Sequence, residues 1–261
     1  MRKFLILTMV SLPVLLGADT ANPSSSEVEE MIRKFAAKES EFSKARENYT
    51  YRQSVRVLEL DESGGTRGRH EMISDVIFAN DGKRTERVVK APVSTLRNLQ
   101  LTPEDEQDLR NVQPFVLTST DVDKYYVRYL GKETLDEIPC FVFSVKPKKM
   151  EQGARYFTGL IYVDDRDLQI VKTYGRATGL LKKGSDQQFP KFETYREQID
   201  GKFWFPTYTV ANDTLMFQSG PQPIRMTVKY EDYKQFKSDV TIKFEDQEAK
   251  PTPPTPQPKK P

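Results

Sequence analysis

The chain of 261 residues has one cysteine, one histidine and one tryptophan, and it lacks an excess of charge of either sign, with 40 basic against 38 acidic residues. A single cysteine, Cys140, excludes an internal disulfide and any metal site built on several thiolates. Its neighbours Pro139 and Phe141 make it read as a small buried apolar residue. A single histidine, His70, removes zinc sites made from several imidazoles and hydrolytic arrangements that need a second histidine. No apolar run reaches the roughly 20 residues that a membrane-spanning helix requires. Metal and cofactor chemistry is therefore not expected, and neither is a transmembrane segment.

The first residues carry a specific signal. Arg2 and Lys3 precede an apolar stretch over 4–16, followed by Gly17 and Ala18, which is the order of a secretory signal peptide. Ser11 and Pro13 interrupt a stretch already short for a bilayer core of about 30 Å. The expectation is a signal over 1–18, cleaved near Ala18, and a soluble mature chain in the periplasm. No cysteine stands at the junction to take a lipid. Removal of Arg2 and Lys3 leaves the mature chain formally neutral, and the terminal Lys250, Lys259 and Lys260 leave the folded body slightly acidic. Phosphate recognition needs a concentrated basic face, so nucleic acid is not an expected partner. Without disulfides an exported domain must be held by its core, and this length permits one.

Ser26 and Glu29 have the spacing of a capping box, in which each side chain satisfies an orphan amide at a helix start. Val28, Met31, Ile32, Phe35 and Phe42 then fall on one helical stripe, opposite Glu29, Glu30, Arg33, Lys34 and Lys38. From Tyr49 the period changes to two, and the pattern predicts strands over 49–60, 71–78 and 84–90. A turn is expected over 61–65 and a hairpin at Asn80, Asp81 and Gly82. Residues 92–114 break the rhythm: Thr102 reads as an N-cap and Pro103 as a first-turn proline, followed by a short helix to about Asn111. This segment reads as an insertion across one end of the sheet. Strands resume over 125–130, 139–147, 158–164, 169–175, 192–199, 203–211 and 224–230.

About ten strands after one strong helix predict a mainly β, α+β domain over 19–248, built on a large curved antiparallel sheet. Several strands are apolar on one face only: Tyr125, Val127 and Tyr129; Phe141, Phe143 and Val145; Ile224, Met226, Val228 and Tyr230. Such a face needs a cover, and the first helix is the candidate. The proline-rich end over 249–261 cannot bury enough apolar area to fold and reads as an extended, disordered tail.

Four constellations invite chemistry. Asp164, Asp165 and Asp167 resemble a calcium loop but lack the glycine and glutamate that complete one, so a β-turn is expected. Lys172, Lys182, Lys183 and Ser185 do not have the burial that a serine-lysine hydrolase needs. Glu193, Glu197 and Asp200 invite a glycosidase reading, and Glu193 and Glu197 share a strand face with Tyr195, although half-exposed strands commonly show the same pattern. Trp204, between Phe203 and Phe205, reads as a core anchor in preference to a lip for ligand entry, with Pro206 marking an edge, a bulge or a strand end.

The residues from Tyr156 to Gly175, with the Asp164 turn between two strands, together with Lys191 to Tyr195 and Phe203 to Thr207, resemble the periplasmic lipoprotein-carrier superfamily of the LolA/LolB kind. The likeness extends over about 27–244. The insertion over 92–114 and the proline-rich tail depart from the family pattern. The resemblance implies an incomplete β-barrel that holds acyl chains under helical lids, in outer-membrane lipoprotein sorting. It implies a non-enzymatic carrier or sensor without a cofactor, whose expected partners are acyl chains of lipid or lipoprotein together with envelope proteins, and not nucleic acid. The expected cavity lining is Met31, Phe35, Tyr125, Val127, Phe141, Phe143, Val145, Met226, Val228 and Tyr230. Two alternatives stand beside it: an envelope scaffold that holds protein partners by its surface and tail, and a glycan-active enzyme around Glu193 and Glu197.

Overall fold

The computed structural model describes residues 22–78, 83–181 and 188–236. The expected signal over 1–18, the turn at Asn80 to Gly82, the loop with Lys182, Lys183 and Ser185, and the proline-rich tail lie outside the described residues.

Helix α1, Ser25–Arg46, begins with a capping box, but one formed by Ser24 and Glu27 instead of Ser26 and Glu29. Three consecutive serines offer the same spacing twice, and the earlier choice adds about half a turn of backbone hydrogen bonds. The buried stripe is Phe35, Ala36, Glu39 and Phe42, with Val28, Met31 and Ile32 half-buried at its start. Glu39 stands within an apolar stripe and has a partner far along the chain.

Ten strands follow: β1 Tyr49–Leu60, β2 Thr66–Phe78, β3 Arg84–Ser94, β4 Tyr125–Leu135, β5 Ile138–Pro147, β6 Tyr156–Asp164, β7 Ile170–Thr178, β8 Lys191–Gln198, β9 Trp204–Phe217 and β10 Gly220–Gln235. They form one open antiparallel sheet in the order β3-β2-β1-β10-β9-β8-β7-β6-β5-β4. The sheet is larger than the pattern predicts: β2, β3 and β4 are each four or five residues longer, β9 runs on to Phe217, and β10 starts at Gly220 and passes through Pro221 and Pro223. Those prolines pair with β9 at Met216 and Thr214, while the β1 ladder begins only at Ile224, so their missing N–H groups leave no vacancy on the other side.

This order dictates the central feature of the molecule. β3 and β4 are consecutive in sequence but occupy opposite edges of the sheet, so the residues between them must cross its apolar face. The crossing segment, 95–124, contains α2 Pro103–Gln107, a π-helical turn Asp108–Val112 and a 3-10 turn Val122–Lys124. Thr102 caps α2 in a box with Asp105, at the position read from the sequence. The strap buries Leu109, Val112, Phe115 and Leu117 in the main core, where Phe115 stacks on Phe157 at 4.5 Å.

The α1 end is closed by packing. Phe35 meets Phe143 at 5.2 Å, and Phe42 meets Phe205 edge-on at 5.2 Å in a second cluster with Tyr49 and Phe203. Arg196 of β8 donates from Nη1 to both oxygens of Glu39 at 3.1 Å, from Nη2 to the Phe115 carbonyl, and lies 5.0 Å from the Phe42 ring. The expected core anchor Trp204 is corrected: its neighbours Phe203 and Phe205 enter the core, whereas Trp204 is half-buried on the other face and donates from Nε1 to Asp167 at 3.2 Å. Strand alternation allows only one of the two sets inward. Pro206 sits opposite the bulge between Tyr195 and Arg196.

Candidate ligand-binding cleft

The strap leaves a cleft of about 880 Å³ between itself and the sheet. Its floor comes from one end of five strands: Val57 late in β1, Ala177 late in β7, Phe192 early in β8, Leu215 late in β9, and Ile224 and Met226 early in β10. Antiparallel pairing brings these strand ends together. The strap contributes Leu99, Leu101 and Leu109, and the flanks before β6 and after β7 add Arg155, Leu180 and Leu181.

The size decides what kind of space this is. A sealed void costs about 24 cal/mol per Å³, which for this volume would be on the order of 20 kcal/mol and exceed the whole stability of a typical domain. It is therefore no packing defect but an opening for solvent or a guest, toward the upper end of the roughly 300–1,000 Å³ common for small-molecule sites.

The strap is docked by a buried carboxylate. Glu59 of β1 is fully buried and accepts the backbone N–H groups of Arg97, Asn98 and Leu99 at 2.6–2.9 Å. Gly68 of β2 permits the approach, since a Cβ there would stand 2.7 Å from both Glu59 Oε2 and the Thr95 carbonyl. Asn98 also donates to Gln222 at 2.8 Å, and Gln222 in turn donates to the Leu60 carbonyl.

One part of the lining is polar. Glu104, Asp105, Asp108 and Gln113 come from the strap, with Arg155 3.7 Å from Asp108. Burial pushes the Asp108 carboxyl up to about 7, with Asp105 and Glu104 adding to the rise and Arg155 opposing it. A carboxyl whose folded pKa lies above its unfolded value of 3.8 contributes stability that is fully present below that value and is lost as pH rises through about 7. Asp108→Asn is accordingly expected to raise stability at pH 8 by about 1–3 kcal/mol and to flatten its fall between pH 4 and 8. Urea unfolding at pH 5 and pH 8 checks this; an unchanged pH slope would count against it.

Of the ten residues expected to line a cavity, Met226 faces this cleft. Phe35, Tyr125, Phe143, Val145, Val228 and Tyr230 are buried in the main core, and Met31, Val127 and Phe141 pack against it half-buried. Those side chains pack into one core with Ala36 of α1, and a space near Phe42 and Arg46 measures about 20 Å³, enough for one water. The strap residues Leu99, Leu101 and Leu109, which line the cleft, were not among the residues expected from the sequence. Their signal was present as apolar residues inside a segment read only as an insertion.

Glu193 and Glu197 lie on the outward face of β8, alternating with the buried Phe192, Thr194 and Arg196. Glu193 is held by Lys172 at 3.0 Å and by the Tyr195 hydroxyl, whose hydrogen bond heads the causes that lower its pKa. A general acid in a glycosidase needs the opposite shift. Asp164 accepts the amides of Arg166 and Asp167 at 2.7 and 3.2 Å, which makes the acidic cluster a turn. Among the described residues no group of three or more His, Cys, Asp or Glu is placed to hold a metal ion, and no helix is long and apolar enough to cross a membrane.

No protein-family model matches the chain, and no curated protein matches it. Its chain path is similar to those of several solved structures, two bacterial proteins among them. One is a DUF1329 family protein from Desulfovibrio piger, at 16% identity over 82% of this chain and 94% of that one, with a TM-score of 0.45. The other is a LolA superfamily protein from Nitrosomonas europaea, at 12% identity over 80% and 93%, with a TM-score of 0.36. At such distances the function has to be read from the cleft itself.

Proposed function

We propose that this chain is a non-enzymatic periplasmic carrier or sensor of acyl chains, and that it holds them between the strap and the sheet. The observation that supports this reading is the open cleft of about 880 Å³ with its floor of Val57, Ala177, Phe192, Leu215, Ile224 and Met226. Each methylene moved from water to such a lining gains about 0.8 kcal/mol, so a chain of eight or more carbons has ample driving force even after its ordering cost. Leucine and methionine walls adapt to a flexible guest.

Mass spectrometry of organic extracts from the purified protein is the direct test, and an acyl-bearing lipid is the expected find. Ala177→Phe places a ring in the cleft floor and should lower affinity for a fluorescent acyl probe at least tenfold while the fold is retained by circular dichroism. A lipid-free extract together with a wild-type protein that does not take up the probe would sink the reading.

A further inference from the structure

The cleft contains two buried acceptors that take no hydrogen bond, one of which, Asp108 Oδ1, faces Arg155 Nε across 3.7 Å. Gln113 is 4% exposed and Asp108 9% exposed, both line the cleft, and neither Gln113 Oε1 nor Asp108 Oδ1 has a hydrogen-bond partner. A buried polar atom left in this state costs about 1–3 kcal/mol, so two on one wall call for an explanation. They are also neighbours by construction. The amide of Gln113 donates to the carbonyl of Asp108 at 3.0 Å, the i to i+5 bond of the π-helical turn, a local irregularity that recurs at functional sites. Gln113 is held in place: its side-chain Nε2 donates to Met226 Sδ at 3.4 Å, and its backbone carbonyl accepts the Thr194 hydroxyl at 2.9 Å. The surroundings favour one kind of partner. Glu104, Asp105 and Asp108 outnumber Arg155 in this part of the lining, which repels an anionic head, and bare acceptors attract a donor.

We infer that Gln113 and Asp108 form a head-group subsite, and that the guest is an amphiphile whose apolar chain ends in an uncharged group with hydroxyl donors. This rests on the acyl-binding reading above and specifies its ligand class. The chain lies over the strand ends, and the hydroxyls donate to Gln113 Oε1 and Asp108 Oδ1 on the strap.

Three probes with one acyl chain separate the subsite from the cleft: 1-monooleoylglycerol, methyl oleate and oleate, each displacing a fluorescent acyl probe from the full mature chain at pH 8. Monooleoylglycerol is expected to bind at least tenfold tighter than methyl oleate, which has no donor, and tighter than oleate, which is anionic. Gln113→Met with Asp108→Leu should bring the preference for monooleoylglycerol over methyl oleate to within about twofold, and Gln113→Met alone should reduce it if the double variant does not fold. Equal wild-type affinities for monooleoylglycerol and methyl oleate, or tighter binding of oleate, would overturn the subsite while leaving the acyl cleft intact. Failure of all three to bind would overturn both.

Discussion

Arg196→Ala is expected to destabilise the protein by about 3–5 kcal/mol, among the largest effects of any single substitution here, because it leaves Glu39 buried without its cation. The side chains of both partners are essentially inaccessible, at 1% and 0% exposure. Arg196 ties three parts of the molecule together: the carboxylate on α1, the Phe115 carbonyl on the strap, and its own strand β8. Glu39 would retain the Ile170 amide, at 3.0 Å, and the weaker, more distant charge of Arg46. Burial pushes the Glu39 carboxyl up, and the Arg196 guanidinium, followed by the Ile170 amide, opposes the rise. Without Arg196 the rise goes unopposed by its main counterweight. The carboxyl then contributes stability below its unfolded value of 4.5 that is lost as pH increases, so the deficit of the variant should shrink as pH falls toward that value. Glu39→Leu combined with Arg196→Met should cost at least about 2 kcal/mol less than the two single changes added together, since neither charge is then stranded. Urea unfolding of the four proteins gives the coupling; strictly additive costs would show that the two side chains act independently.

The fold was legible where the physics is local. Period-two alternation located the strands, and the Thr102 and Pro103 start signal located α2, because caps and alternation are written within a few residues. The three serines at 24–26 carried the right motif in two registers, which local spacing cannot tell apart. What escaped was long-range. Nothing near Glu39 says that a gap in an apolar stripe is filled by a carboxylate whose partner is 157 positions away. Likewise, the inward alternation of Phe192, Thr194 and Arg196 makes sense only once β8 is placed beneath the strap. The cleft was assigned to α1 because that helix has the obvious apolar stripe. Yet a long regular stripe packs well and leaves little space, while the irregular segment over 95–124 spans the sheet by only a few docking points and leaves the opening.

The principal docking point of the strap supplies the second large effect. Glu59→Ala removes the acceptor of three consecutive amides, and Gly68→Ala forces a Cβ to within 2.7 Å of the Thr95 carbonyl and of Glu59 Oε2. Residues 97 and 98 are themselves exposed, so their amides can turn to water once released. The loss of global stability should therefore remain near about 2 kcal/mol, the scale of charge-assisted hydrogen bonds exchanged for hydration. Ligand retention should suffer far more, because Leu99 and Leu101 leave the cleft together with the amides. Both variants are expected to weaken acyl-probe binding at least tenfold and to speed hydrogen exchange at residues 97–99, whereas exchange in β5 and β6, at the other side of the sheet, stays slow. Were binding to persist at wild-type strength with residues 97–99 freely exchanging, the strap would be a surface decoration and the cleft would owe its occupancy to the sheet alone.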